Sequence, residues 1–301
     1  MEQFDLKNPP SSISSVVYFG TPEIAVEPLK RLVNAGFNVP LVITRPDVRR
    51  GRGKQTSANP VKLAAQELGL KVSYELEAAT EVEADLGVVV AYGRIIPVEV
   101  LQKLALVNLH FSALPKWRGA APLERALIEG DETTAVCLMA IEEGLDTGGI
   151  YNKVDVVIDP AWNLADLASK CVSVGAEMLV SDLRQGLSEP TPQDGEPTYA
   201  SMLKNEEFQI THESLAADVY RKLKVRPCWM MLDGKRIKVH SGTIGNSSTS
   251  IVAGEIVDTT LGLRDASLIL DSVQPEGKKP MSANDWAQGR QNSSVTLDSV
   301  G

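Results

Sequence analysis

Cysteine and histidine are scarce in this chain of 301 residues, with three of each. Cys137, Cys171 and Cys228 are odd in number and far apart, which argues against a disulfide framework, and two of them fall in apolar periodic segments, the setting of buried free thiols. Neither C-x-x-C nor H-E-x-x-H occurs and the histidines are scattered, so no metal site is expected. G-x-G-x-x-G is missing as well, which argues against a nicotinamide dinucleotide site. Apolar runs last roughly five to eight residues against the ~20 that a bilayer requires. The first fifteen residues lack the basic start and apolar centre of a secretory signal and read as a floppy leader. A cytoplasmic protein with no membrane contact is the expectation, and the sequons at Asn246 and Asn292 then have no meaning.

Hydrophobic residues make up 43% and charged residues 23%, the balance of an ordinary globular protein. The net charge of −9 is unevenly placed: residues 1–206 hold 19 basic and 28 acidic residues, residues 207–301 eleven of each. Three basic clusters stand out against this acidity. They are Arg45 with Arg49 to Lys54, Arg221 to Arg226, and Lys235 to Lys238. No large exposed apolar stripe is evident, so a monomer is expected.

Strand and helix signals alternate through the first part. Ser15–Phe19 reads as a strand, followed by a helix with Thr21 as cap, Pro22 at its first position, an inward stripe of Leu29, Leu32 and Val33, and a kink at Pro28. Val39–Thr44 is a second strand; Asn59-Pro60 caps a helix to Gly69 with Leu63, Ala64 and Leu68 inward. Strands at 71–74, 86–91 and 106–110 follow, with helices from near Thr80 and Pro97, and then a helix from Pro122, strands at 134–141 and 150–158, and a long helix from Asn163. This alternation predicts a parallel sheet covered by helices, with ligands near the carboxyl ends of its strands. The Pro-rich, acidic stretch LSEPTPQDGEPT reads as a linker. Beyond it, one amphipathic helix and several short strands, two of them flanking Asp233-Gly234, predict a small OB-like β-barrel. The expected domains are 1–189, a linker 190–206, and 207–301.

The segment LVNLHFSALPKWRGAAP, 106–122, carries the clearest chemistry. Residues two apart on a strand share a face, so Asn108 and His110 point the same way out of an otherwise apolar strand. Downstream, Gly144-Leu145-Asp146-Thr147-Gly148-Gly149 sets one carboxylate in a Gly-rich turn. If that turn folds back, an amide donor, an imidazole and a carboxylate meet. Such a set holds a hydrogen-bond donor, an imidazole that can give or take a proton near neutral pH, and a carboxylate.

These stretches, with FGTPEIA (19–25), RPDVRRGRGKQ (45–55), VVVAYGRIIP (88–97) and QPEGKKPMSANDW (274–286), resemble the methionyl-tRNA formyltransferase family over nearly the whole chain. The resemblance implies a Rossmann-like catalytic domain, an OB-like second domain, and transfer of formyl from 10-formyltetrahydrofolate, a cosubstrate, to the α-amine of methionine on initiator tRNA. It implies Asn108, His110 and Asp146 as catalytic residues. It implies a folate pocket of Val89, Val90, Ala91, Tyr92, Gly93, Arg94, Ile95 and Pro97 with Ser112, Ala113, Leu114 and Pro115. It also implies contact of Arg45, Arg49, Arg50, Arg52 and Lys54 with the tRNA acceptor stem, Arg52 ranking highest. Phe111, Ala113 and Arg94 depart from the family's usual residues, at the wall of the pocket.

Overall fold

The computed structural model describes residues 6–49, 56–245, 251–290, 292 and 294–298. It divides into two compact units: Met1–Leu123 with Glu132–Pro160 and Ala165–Ser201, and Glu124–Asp131 with Ala161–Leu164 and Met202–Gly301.

The first unit is built on seven strands: β1 (Val16–Gly20), β2 (Val42–Ile43), β3 (Val72–Ser73), β4 (Leu86–Val90), β5 (Leu106–His110), β6 (Thr133–Ala140) and β7 (Ile150–Val157). Their order is β7-β6-β5-β4-β1-β2-β3. The five strands from β5 to β3 pair in parallel, with Val16–Gly20 matched to Leu86–Val90 and Val89 to Asn108. Every residue of β1 and β4 is buried, the pattern of strands covered on both faces. The expectation of parallel pairing fails for β6 and β7, which run antiparallel. The chain between β5 and β6 stays at one end of the sheet instead of crossing it, and the connection from β6 to β7 is too short for a crossover.

Helices α1 (Val26–Asn34), α2 (Pro60–Glu67), α3 (Val98–Leu101), α4 (Pro122–Glu129) and α5 (Leu164–Gln185) follow the strand signals. Thr21 caps nothing: a 3-10 turn, Glu23–Ala25, precedes α1, and the Thr21 hydroxyl instead donates to the Tyr92 carbonyl at 3.2 Å. Because α1 therefore begins at Val26, Pro28 falls in its first turn, where no amide hydrogen is needed, and no kink is required. Asn59 does cap α2, accepting the Lys62 amide at 3.0 Å. Leu63 is exposed, contrary to expectation, because the helical stripe runs through Val61, Ala64 and Ala65.

The second unit holds α6 (Ala216–Val225), the strands β8 (Cys228–Leu232), β9 (Lys235–Ile244), β10 (Glu255–Val257), β11 (Thr260–Gly262), β12 (Ser267–Pro275), β13 (Met281–Ser282) and β14 (Ser294–Thr296), and α7 (Ala283–Gln288). All strand pairs are antiparallel, in the order β8-β9-β12-β11-β10-β14 with β13 on β12. The β8–β9 turn has Asp233 at φ 50° and Gly234 at φ 69°, the positive pair a two-residue type I′ hairpin demands. Asp298, just past β14, accepts the Asp233 and Gly234 amides at 2.9 and 2.8 Å and donates its own amide to Met231 at 3.0 Å. The two ends of the sheet thus meet, giving a curled half-barrel around Trp229, Met230, Val239, Leu268 and Val273.

Cys137, Cys171 and Cys228 are all free and buried. Burial pushes the Cys137 thiol up to about 11 and the other two to about 12, so all three stay protonated and inert at neutral pH. No helix among the described residues is long and apolar enough to cross a membrane.

Candidate active site

Strand alternation orients the first two groups. Val107 and Leu109 are buried on one face of β5, so Asn108 and His110 share the other. The turn after β6 folds back over that face and brings the third. Asn108 Nδ2 lies 3.5 Å from Asp146 Oδ1, and His110 Nδ1 lies 3.7 Å from Asp146 Oδ2. The structure therefore gathers Asn108, His110 and Asp146, although they span 38 positions of sequence.

His110 and Asp146 are each held from a second side as well. His110, 6% exposed, presents Nε2 to the Trp117 carbonyl at 3.2 Å. A carbonyl only accepts, so that pairing puts the hydrogen on Nε2 and leaves Nδ1 as the nitrogen facing Asp146. Asp146 Oδ2 accepts the Gly119 amide at 2.8 Å. Gly119 itself has φ 117°, and a Cβ there would stand 2.9 Å from the Ala200 carbonyl oxygen, so only glycine lets the backbone approach this closely. In the first unit, the described non-glycine residues with positive φ are Ala91 (46°), Trp117 (63°) and Asp146 (52°), one in each loop around the site. Such conformations cost about 1 kcal/mol or more each and persist only where surrounding contacts impose them.

The loop after β4 supplies the flank. Gly20, ending β1, packs so closely that a Cβ would meet the Val90 carbonyl oxygen at 3.1 Å, and Thr21 ties on to Tyr92. Val89, Val90 and Tyr92 are buried, whereas Ala91, Gly93, Arg94 and Ile95 face solvent, Ile95 at 86% exposure. Burial raises the Tyr92 phenol above its ordinary value, opposed by the nearby guanidinium groups of Arg94 and Arg45. Pro97 caps α3 and is half-buried. On the other flank, Ser112 and Leu114 turn inward: the Ser112 hydroxyl donates to the Lys116 carbonyl at 2.7 Å and Leu114 packs with Cys137 and Met139. Ala113 and Pro115 remain half-buried, and the Leu114–Pro115 peptide is cis.

Of the basic loop, Arg45 is exposed beside Gly93, whose Cβ position is 3.7 Å from an Arg45 guanidinium nitrogen. Arg49 lies in a two-residue strand, Val48–Arg49, paired antiparallel with Thr56–Ser57. Arg50, Arg52 and Lys54 lie outside the described residues. Among the described residues, no group of His, Cys, Asp and Glu is arranged to hold a metal ion.

Sequence reasoning passed over a further layer. In the stretch read as a linker, the Gln193 amide contacts the Asp146 turn, and Thr198 accepts the Trp117 amide at 2.9 Å through its hydroxyl. Tyr199–Ala200 then pairs in parallel with Arg118–Gly119. Its composition carries no motif, so only the W-R-G partner, inside the 106–122 segment, offered a signal.

The formyl transferase domain model matches residues 14–183, and the model for the formyl transferase C-terminal domain matches residues 202–291. A methionyl-tRNA formyltransferase of Thermodesulfovibrio yellowstonii is 35% identical over 296 residues, covering 92% of this chain and 96% of the relative. One from Neisseria meningitidis is 36% identical over 301 residues, covering 91% and 97%. Among solved structures, an N-formyltransferase from Helicobacter canadensis in complex with folinic acid and dTDP-3-aminofucose aligns with a TM-score of 0.65 at 20% identity. It covers 87% of this chain and 99% of its own, and at that identity it speaks for the fold. Two consecutive domain models and relatives aligned almost end to end lead to one conclusion: the chain belongs to the methionyl-tRNA formyltransferase family.

Proposed function

We propose that this protein transfers the formyl group of 10-formyltetrahydrofolate to the α-amine of methionine esterified to initiator tRNA, with Asn108, His110 and Asp146 as its catalytic residues. The observation that carries the reading is the meeting of an amide, an imidazole and a carboxylate within 3.5 and 3.7 Å on the face of β5. The amine attacks the formyl carbon, a tetrahedral species with an oxyanion forms, the bond from carbon to the folate nitrogen breaks, and that nitrogen gains a proton as the amine loses one. The Asn108 amide and the His110 ring face the oxyanion. The amide is a donor as it stands, worth about 3 to 4 kcal/mol. The ring becomes one when Nδ1 takes a proton, since its Nε2 hydrogen goes to the Trp117 carbonyl. Asp146 and His110 act as a coupled unit in the proton transfers. Asp146 keeps the ring oriented, and the backbone contacts around it reduce the rearrangement needed at the moment of reaction.

The solvent-facing part of the 89–97 loop, together with Ala113 and Pro115, forms the folate pocket, and Ile95 offers an apolar side chain for a flat ring. The basic loop of Arg45, Arg49, Arg50, Arg52 and Lys54 meets the acceptor-stem phosphates, since five basic residues and one acidic one occur between positions 45 and 54. The work belongs to translation initiation and therefore to the cytoplasm, with the protein acting as a monomer. The decisive assay incubates it with 10-formyltetrahydrofolate and charged initiator Met-tRNA and follows formyl-methionine. Product on the tRNA is expected; binding without turnover, or product only on small amines such as an amino sugar, would overturn the reading.

A further inference from the structure

The Asp146 turn is gripped by two side chains outside the triad. Arg118 directs Nε and one terminal nitrogen at Oε1 of Gln193, at 3.1 and 2.7 Å. The nitrogen of the same amide donates to the carbonyl oxygens of Asp146 and Gly148, both at 2.8 Å. A primary amide has two donor hydrogens and an oxygen with two lone pairs, so these four bonds use its whole capacity. They also fix its orientation. A guanidinium only donates and a backbone carbonyl only accepts, so a flipped amide would oppose donor to donor and acceptor to acceptor.

The turn needs such restraint. Asp146 sits at φ 52°, and Gly148 is pressed so tightly that a Cβ would overlap the Ala140 carbonyl oxygen. The backbone next to Arg118 completes the grip, because the Gly119 amide donates to Asp146 Oδ2 and Arg118–Gly119 is paired with Tyr199–Ala200. One face of the turn is therefore held through its carbonyls and the other through its carboxylate. Misplacing a reacting group by about 1 Å can cost ~10²-fold in rate.

We infer that Arg118 and Gln193 are positioning residues that hold the Asp146 carboxylate against His110, Arg118 acting through Gln193. The inference rests on the assignment of Asp146 to formyl transfer. In the full-length enzyme, Gln193→Ala should lower kcat roughly 10- to 100-fold while the KM values for folate and Met-tRNA stay within about twofold. Gln193→Glu keeps an acceptor for Arg118 but has no donor for the two carbonyls, so its kcat should match that of Gln193→Ala. Arg118→Lys should retain more activity than Arg118→Ala, and the double variant Arg118→Ala with Gln193→Ala should be no slower than Gln193→Ala, as expected for residues acting in series.

A second readout does not depend on turnover. Hydrogen exchange at the Gly119 amide should quicken about tenfold or more in Gln193→Ala, with exchange in the 106–110 strand unchanged. Variants with wild-type kcat per active site and unaltered Gly119 exchange, whatever their melting temperature, would overturn the clamp. Wild-type protein that forms no formyl-Met-tRNA would overturn the functional reading instead, and the Gly119 exchange would still decide the clamp.

Discussion

Nδ1 of His110 and Oδ2 of Asp146 stand 3.7 Å apart, and that same carboxylate oxygen already accepts the Gly119 amide at 2.8 Å. The gap exceeds a hydrogen bond but lies within the range that catalytic pairs close once substrate binds. Asp146→Asn preserves an acceptor for Gly119 while removing the charge. That variant, His110→Ala and Asn108→Ala should each lower kcat by ~10² or more with unchanged folding. Steady-state kinetics with circular dichroism checks this, and near-normal turnover in any one would remove that residue from the reaction.

Ile95 is 86% exposed next to buried Ile96, an unusual position for a large apolar side chain in a loop bordering a site. Ile95→Ala should raise the KM for 10-formyltetrahydrofolate about tenfold or less, roughly the 1 kcal/mol of a lost apolar contact, with little change in the KM for tRNA. Equal effects on both substrates would contradict a folate role.

Arg52→Ala should weaken use of Met-tRNA while leaving folate binding intact. Losing one phosphate contact also reduces the slope of log affinity against log salt by about one. Kinetics at several salt concentrations measure this, and an unchanged slope counts against phosphate contact.

Gly119→Ala should destabilise the protein by about 1 to 3 kcal/mol, because φ 117° is strained for any other residue and the new Cβ meets the Ala200 carbonyl oxygen at 2.9 Å. Since the same amide holds Asp146, kcat should fall with stability. Thermal unfolding and turnover of one preparation test the coupling, which a stable but slow variant would break.

In the second unit, Glu207 takes a two-pronged bond from Arg125 at 2.6 and 3.2 Å and a third from the Lys204 amide at 2.7 Å. The Arg125 bond first, and the Lys204 amide with it, hold the Glu207 carboxyl below its usual range. A folded pKa below the unfolded one contributes stability that is present above the unfolded value, near 4.3, and disappears as pH falls through the folded value. Glu207→Gln should therefore cost about 1 to 2 kcal/mol near pH 7 and almost nothing well below pH 4. Urea unfolding across that window tests the sign.

The reach of the sequence differs from element to element. Asn108 and His110 are legible because a strand's two-residue period needs no distant information, and the Asn59-Pro60 cap and Asp233-Gly234 turn are equally local. Thr21 and Pro28 mislead because a short 3-10 turn shifts where α1 begins and the Thr21 hydroxyl goes to the Tyr92 carbonyl, a partner 71 positions away that the local sequence does not show. Leu63 misleads because the apolar residues of α2 fit more than one helical stripe, and folding buries Val61, Ala64 and Ala65 rather than Leu63.

The chain order by itself determined the parallel core and the curled second unit and pointed to the amide, ring and acid that the fold brings together, since each follows from periodicity, turn chemistry or a short motif. Tertiary structure alone decided that β6 and β7 run antiparallel, that the Asp146 turn folds back over β5, and that Gln193, in a stretch with the composition of a linker, grips that turn. The physical reason is range: local rules act over a few bonds, whereas Gln193 and Asp146 stand 47 positions apart and meet through hydrogen bonds that exist only once the chain has folded.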